Sequence, residues 1–207
     1  MIRRGYFFLL LIGIGYQKNL AQLDSVQRWH VSAGITLPSS PDQFYDYWKQ
    51  GFQIMGGVEL PGQSRYIQYI TAEVNYFAFD QQRFLQRIGL ANSNIPTSGA
   101  ATFSFAFAYL VRYTFIEYQT FRPTFFAGIG CEDIYRSSAT IDYPNYTVSQ
   151  EGQNSITATI PFGAAIMLFE RKDKAIEVNF TYSLGFPKKE NINSSFSCFK
   201  IDYLFSQ

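Results

Sequence analysis

Residues 103–115 read FSFAFAYLVRYTF, and the alternation within this stretch decides the fold. The odd positions from Phe103 to Phe115 are aromatic except for Val111, whereas the even positions are mostly small or polar and include the charged Arg112. Successive side chains of a β-strand point to opposite faces, so the stretch predicts a strand with one aromatic face. Because a small membrane barrel turns apolar groups toward lipid and polar groups toward its interior, we assign the aromatic face to lipid.

The composition agrees with a barrel that faces lipid. Charged residues make up 16% of the 207-residue chain, against roughly 25% in soluble domains. Aromatic residues make up 18%, with 21 Phe and 15 Tyr, although the mean hydropathy is only −0.08. A helical membrane protein would be far more apolar, whereas a transmembrane strand needs apolar side chains only at alternate positions.

The N-terminus has the organisation of a secretory signal peptide. Arg3 and Arg4 precede an apolar run over residues 6–16, and a small-residue cleavage region follows. The run is too short to span a bilayer, since a transmembrane helix needs about 20 residues. We therefore predict a cleaved signal peptide over 1–22 and an outer-membrane β-barrel domain over 23–207.

Charge and cysteine content exclude several classes of function. Without residues 1–22 the chain holds 14 basic and 16 acidic residues, a net charge of −2, which gives no case for nucleic-acid binding. Cys131 and Cys198 fall on opposite faces of strands that are not neighbours, so we expect two free thiols. Two distant cysteines form no metal motif, and we expect no metal and no cofactor.

Seven further stretches alternate in the same way as residues 103–115. They predict strands over about 27–37, 51–60, 66–78, 122–134, 156–169, 175–186 and 195–205. Long polar loops over about 79–101 and 135–155 alternate with short turns, and residues 81–90 are a candidate short helix. The even strand number and the phase of the connections predict an all-β, eight-stranded antiparallel up-and-down transmembrane β-barrel with short periplasmic turns, long extracellular loops and periplasmic termini.

Over about residues 27–207 the chain resembles the small outer-membrane β-barrel family of the OmpA, OmpX and OmpW type. The resemblance is carried by the signal peptide, the eight strands, the DYWKQGF stretch at 46–52 with its following glycine pair, and the aromatic last strand. It implies an outer-membrane location, contact with outer-membrane lipid and lipopolysaccharide, and assembly by the barrel-assembly machinery. Members usually end in an aromatic residue, whereas here Phe205 is followed by Ser206 and Gln207.

Charged side chains on the predicted inward face form the first candidate site. They are Arg28, Glu59, Glu73, Arg112, Glu132, Glu177, Lys200 and Asp202. Buried charges persist only when they are paired. Strand adjacency predicts three pairs: Glu73 with Arg112, Glu177 with Lys200, and Asp202 with Arg28. We interpret the network as structural, with a catalytic carboxylate or a selectivity ring as the alternative.

Two further candidates concern catalysis and recognition. His30 and Ser32 share a strand face, and lipid A deacylase barrels use a His-x-Ser pair with a carboxylate. In that family the pair faces the outer leaflet, whereas here it faces inward near the periplasmic end, so we expect no catalytic residues. Aromatic side chains on the predicted loops either contact a partner or pack over the barrel mouth: Tyr45, Tyr47, Trp48, Tyr143 and Tyr146.

Four functional interpretations remain open from the sequence. The leading one is a non-enzymatic barrel acting as membrane scaffold, adhesin or subunit of an outer-membrane assembly, with an envelope protein as a possible partner. The second is a narrow conduit for small or apolar ligands, because several inward residues are small. The third is a lipid-modifying enzyme built on His30 and Ser32, and the fourth is a soluble lipocalin-like barrel.

Overall fold

A computed structural model gives the fold of the chain over the greater part of its length. It describes residues 28–39, 48–60, 66–87, 89, 97–98, 101–115, 122–136, 139–142, 147–150, 152–171, 174–186 and 195–206. The predicted signal peptide over 1–22 lies outside the described residues. Among the described residues there is no helix long and apolar enough to cross a membrane.

Eight long strands form the barrel, as the alternation predicted. They are β1 (Arg28–Pro38), β2 (Trp48–Leu60), β3 (Tyr66–Phe79), β5 (Ala101–Thr114), β6 (Arg122–Arg136), β9 (Gln153–Arg171), β10 (Lys174–Phe186) and β11 (Phe196–Ser206). Each pairs antiparallel with its neighbours along the chain, and β1 pairs with β11 to close the barrel. Closure removes the sheet edges, whose unpaired backbone groups lipid would not satisfy.

The connections contain a second, smaller sheet that the sequence did not predict. It consists of β4 (Thr97–Ser98), β7 (Ala139–Asp142) and β8 (Thr147–Gln150), in the order β4-β7-β8. These strands are too short and polar to show an alternation, and the stretches that hold them were expected to be loops. The short helix expected in the first of these stretches is present as α1 (Gln81–Arg87).

Longer and shorter connections alternate around the barrel. Those after Pro38, Phe79, Arg136 and Phe186 are longer than those after Leu60, Thr114 and Arg171. We call the rim with the longer connections the loop end and the opposite rim the turn end. The small sheet and α1 belong to the loop end.

A β-bulge interrupts the ladder between β9 and β10 near the turn end. Ile176 faces Phe169 while the next residue, Glu177, faces Met167, so Leu168 is the extra residue. A bulge re-aims the side chains that follow it. Leu168 and Phe169 both point outward, with 62% and 43% of their surface exposed, and Glu170 is turned toward the barrel mouth.

The two faces of the barrel wall differ as the sequence predicted. Large apolar side chains are exposed on the outer face of all eight strands, among them Phe107 at 55%, Ile129 at 68% and Ile201 at 61%. The side chains between them point inward and are buried, and most of these are polar. This inversion of the soluble pattern corresponds to a protein with lipid outside and a packed polar core inside.

Candidate functional site

The barrel interior holds nearly all of the chemistry that the sequence singled out. At the turn end its mouth is spanned by Glu170 of β9, which pairs with Arg122 of β6 and, at 3.3 Å, with Arg28 of β1. The Arg28 side chain is one third exposed, so it belongs to the rim. The predicted pair between Arg28 and Asp202 is therefore wrong: the bulge brings in a carboxylate from β9 that the predicted strand did not contain.

The one histidine of the chain, His30, lies in the lumen next to this mouth, on the side toward the loop end. Nε2 of His30 donates to Oε1 of Glu59 at 2.8 Å, and the imidazole stacks on Tyr69 with ring centroids 5.6 Å apart. Ser32 lies further along β1 and is also buried. Among the described residues the Ser32 hydroxyl has no hydrogen-bond partner. The carboxylate that His30 binds, Glu59, belongs to the neighbouring strand β2.

The central ion pair joins two strands across the lumen. Arg112 of β5 donates from both terminal nitrogens to the two carboxylate oxygens of Glu177 of β10, at 2.8 and 2.7 Å. The guanidinium also lies 5.4 Å from the ring centroid of Tyr69. Both charged side chains are almost completely buried, at 3% and 1% exposed. A bidentate geometry of this kind is the strong form of an Arg–carboxylate contact.

This pair corrects the two other pairings predicted from strand adjacency. Arg112 was expected to bind Glu73, and Glu177 was expected to bind Lys200. In the register, however, Glu73 lies opposite Ala106 and Met55, and Glu177 lies opposite Asp202 and Met167. Long side chains reach across the narrow interior instead, because their direct neighbours are apolar or carry the same charge.

Lys200 and Glu73 form a second, looser contact, which lies closer to the loop end. Nζ of Lys200 lies 3.8 Å from Oε1 of Glu73 and donates to Sδ of Met55 at 3.1 Å. The other oxygen of Glu73 accepts a 2.7 Å hydrogen bond from Gln53. Gln53 also donates to Asn75 at 2.9 Å and accepts from the Cys198 thiol, so one amide links several strands.

The two remaining predicted charges, Asp202 and Glu132, also point into the lumen. Asp202 accepts a 3.0 Å hydrogen bond from Asn179, whose own carbonyl oxygen accepts from Thr181. Glu132 is 1% exposed within the lumen. Cys131 and Cys198 are free, as expected. Among the described residues no three His, Cys, Asp or Glu side chains are grouped as a metal site would require.

Aromatic side chains close the interior at the loop end. Phe77 and Phe196 make an edge-to-face contact with ring centroids 5.4 Å apart, and both are buried. Trp48 packs edge-on against Phe79 at 5.7 Å. Trp48 was predicted in a loop, where it would contact a partner or pack over the barrel mouth; the loop assignment is wrong, because Trp48 opens β2, and its side chain is packed, at 4% exposed. The other predicted loop aromatics, Tyr45, Tyr47, Tyr143 and Tyr146, lie outside the described residues.

Several residues that organise the interior were not predicted from the sequence. Tyr69 contacts Arg112, Gln53 donates to Glu73 and to Asn75, and Phe77 packs against Phe196. The signal was available, since Tyr69 and Phe77 share the parity of Glu73 on β3. Fully buried large side chains occur at every level from His30 to Phe77, so the interior is a packed core.

Outside, aromatic side chains cluster near both rims. Tyr66, Tyr113, Phe115 and Phe125 form a continuous chain of ring contacts near the turn end. Near the loop end Phe52, Tyr76 and Phe103 do the same on three adjacent strands. Such girdles are typical of transmembrane barrels, where aromatic rings lie at the two lipid–water interfaces.

Comparison with known proteins bears on the fold. The sequence matches no protein-family model and no curated protein sequence. Among solved structures, a major outer membrane protein from Thermus thermophilus is similar with a TM-score of 0.54 and 9% identity, covering 88% of this chain and 100% of that one. Neisserial surface protein A is similar with a TM-score of 0.52 and 10% identity, covering 88% and 98%.

A third similar structure, the outer membrane enzyme PagL, has a TM-score of 0.40 and 14% identity, with 86% and 98% covered, and is too distant to carry an argument about catalysis. Identities this low establish the architecture and leave the activity open. The closed eight-stranded wall, its apolar exterior and the likeness to the first two structures agree. The chain has the fold of the small eight-stranded β-barrel proteins of the bacterial outer membrane, of the OmpA and OmpX type.

Proposed function

We propose that the protein is a non-enzymatic integral barrel of the outer membrane that acts as a scaffold and presents its loop end to a partner, as an adhesin or as a subunit of an envelope assembly. The observation that carries the proposal is the packed interior inside an apolar wall. The apolar wall is suited to contact with lipid. Because the interior is filled by side chains, only the two rims are available to bind a partner. The loop end is larger and is our choice for the recognition surface.

A conduit function is disfavoured by two closures along the axis. The Arg112–Glu177 pair spans the middle of the lumen, and the Phe77–Phe196 contact lies near the loop end. A solute would have to separate a buried bidentate ion pair, which is costly because each charge would lose its partner. Planar bilayer recordings provide the test, and steady single-channel conductance by the wild type would contradict the scaffold proposal.

A lipid-modifying function is disfavoured by the position of the candidate nucleophile. Ser32 is 3% exposed and His30 is 1% exposed, and both point into the lumen. An acyl ester of a lipid lies outside the wall, so it cannot come within the distance of about 3 Å that attack or proton transfer requires. The test compares lipid A masses in cells that express the wild type or Ser32→Ala. A modification that disappears in the variant would establish an enzyme.

The outer-membrane location rests on the predicted signal peptide over 1–22 and on the apolar wall. Export would leave both termini in the periplasm and the loop end outside the cell. The alternating last strand, which ends near Phe205, would then be the segment that the assembly machinery recognises. Membrane fractionation and gel mobility provide the test: the folded barrel should migrate faster unheated than boiled, whereas recovery in the soluble periplasm would refute the proposal.

The partner is best sought with the intact protein. We expect a gentle-detergent pull-down followed by mass spectrometry to recover an envelope protein or surface ligand through the loop end. A matched comparison uses a variant in which residues 139–150, which contain β7 and β8, are replaced by a short Gly-Ser linker. If the partner is captured equally by the loop-deleted barrel, the loop end is not the recognition surface.

A further inference from the structure

We propose that the turn end carries a binding site for the anionic headgroup of a glycerophospholipid, formed by Arg171 and Lys174. The two residues lie directly opposite each other at the ends of β9 and β10. Both are exposed. The inference rests on the proposed membrane location of the barrel and adds a defined lipid contact to it.

Arg171 and Lys174 place two positive charges next to each other. Side chains directly opposite on neighbouring strands have Cβ atoms about 5 Å apart, and like charges in such positions repel each other. The structure gives neither Arg171 nor Lys174 an ion pair with any described residue. Glu170, the described acidic residue next to Arg171, is turned into the mouth and is occupied by Arg28 and Arg122; Asp173, in the turn between the two cations, lies outside the described residues. A phosphate between the two cations would relieve their repulsion.

The site lies at the edge of the apolar outer wall. The guanidinium of Arg171 lies 5.4 Å from the ring centroid of Phe169, which is one of the exposed outer side chains. On the other side Lys174 is the register partner of Phe205, which stacks on Tyr203. The cations therefore lie at the turn-end edge of the apolar and aromatic surface, where a lipid headgroup meets its acyl chains.

The β-bulge at Leu168 gives Arg171 and its neighbours their orientation. If the strict alternation continued through Leu168 without a bulge, Phe169 and Arg171 would point into the lumen and Glu170 would point out to the lipid interface. The bulge reverses this order. The Glu170 carboxylate therefore reaches Arg28 and Arg122 at the mouth. The Arg171 guanidinium lies over the Phe169 ring at the lipid interface. One local irregularity thus builds both the mouth closure and the proposed lipid site.

The experiment titrates detergent-solubilised protein with phosphatidylglycerol or phosphatidylcholine and follows binding by native mass spectrometry. We expect the wild type to retain one phosphatidylglycerol in preference to phosphatidylcholine. Arg171→Gln or Lys174→Gln should weaken the binding about fivefold, and the double variant roughly 30-fold, because each cation near a membrane surface contributes independently. Arg171→Lys with Lys174→Arg should retain the preference.

The matched control removes two exposed cations from the other rim, through Lys49→Gln with Arg83→Gln, and should leave the preference unchanged. Equal binding of the two lipids by the wild type, or unchanged binding by R171Q/K174Q, would overturn the site. Tighter binding of lipid A than of phosphatidylglycerol would also overturn the assignment to a glycerophospholipid. If the wild type itself shows no heat-dependent gel shift, the membrane barrel is refuted. This result is distinct from a barrel that folds but shows no lipid preference, which refutes only the binding site.

Discussion

Arg112 on β5 and Glu177 on β10 face each other across the closed lumen and share two hydrogen bonds, of 2.8 and 2.7 Å. Two strands, β6 and β9, separate them along the wall. The pair therefore links opposite sides of the barrel rather than neighbouring strands. Tyr69 lies against the guanidinium and also stacks on His30, so the central pair is continuous with the layer below it.

The first prediction concerns the stability that this pair provides. Arg112→Met leaves Glu177 buried without its counter-ion, and we expect the free energy of unfolding to fall by about 3–5 kcal/mol. Glu177→Leu should have a similar cost, whereas the double variant should recover most of the loss because neither charge of this pair is left without its partner. Urea unfolding in lipid vesicles gives the free energy of unfolding of the wild type, the two single variants and the double variant. Additive losses in the double variant would show that the two side chains do not interact.

The second prediction concerns the aromatic contact near the loop end. Phe77→Ala removes a fully buried ring that packs against Phe196, and we expect a loss of about 3–5 kcal/mol in unfolding free energy. The matched control is Phe105→Ala on the outer face, where mobile lipid chains fill the space that the ring leaves. Its cost should be clearly smaller in the same vesicles. Equal costs would mean that the interior is no better packed than the lipid boundary.

Much of the fold could be predicted from the sequence, because lipid on one side and a polar lumen on the other impose a strict period of two. The barrel strands and their inward faces follow from that period alone. Lumen partners do not, since they depend on register and barrel diameter: Arg112 has the apolar neighbours Ile67 and Phe126 and must reach across. Alternation also fails at bulges. A register shift between Trp48 and Gly51 explains why Trp48 looked like a loop residue.

The third prediction concerns the small residues of the inner wall. A Cβ on Gly163 would meet the backbone oxygen of Phe180 and lie 2.6 Å from the Phe126 ring. Gly163→Ala should therefore lower the unfolding free energy by about 1–3 kcal/mol, the usual cost of overpacking. Gly56→Ala is the control, because a Cβ there meets nothing within 4 Å. Near-equal stabilities of the two variants would contradict the close approach of β9 to β10 at Gly163.

The fourth prediction tests whether the outer wall of the barrel faces lipid. Phe107 lies mid-strand and points outward, so Phe107→Arg should cost about 2–4 kcal/mol when the barrel is in a bilayer, and Phe103→Arg, near the loop end, about 0–1 kcal/mol. Urea unfolding in vesicles gives both values. A soluble barrel would accept a charge at either outer position, so a negligible cost at Phe107 would argue against membrane insertion.

The last prediction uses the fact that the chain has two tryptophans, one on each side of the wall. Trp29 is 42% exposed on the outer face, whereas Trp48 is 4% exposed and packs on Phe79. In vesicles made with brominated lipids, bromine quenches indoles that touch the acyl chains. In Trp48→Phe only Trp29 remains, and we expect brominated lipid to quench its fluorescence strongly. In Trp29→Phe only Trp48 remains, and we expect both brominated lipid and aqueous acrylamide to quench its fluorescence weakly. Strong acrylamide quenching of Trp48 would return it to an exposed loop, and strong bromolipid quenching would place it on the outer face; either result would contradict its position inside the barrel.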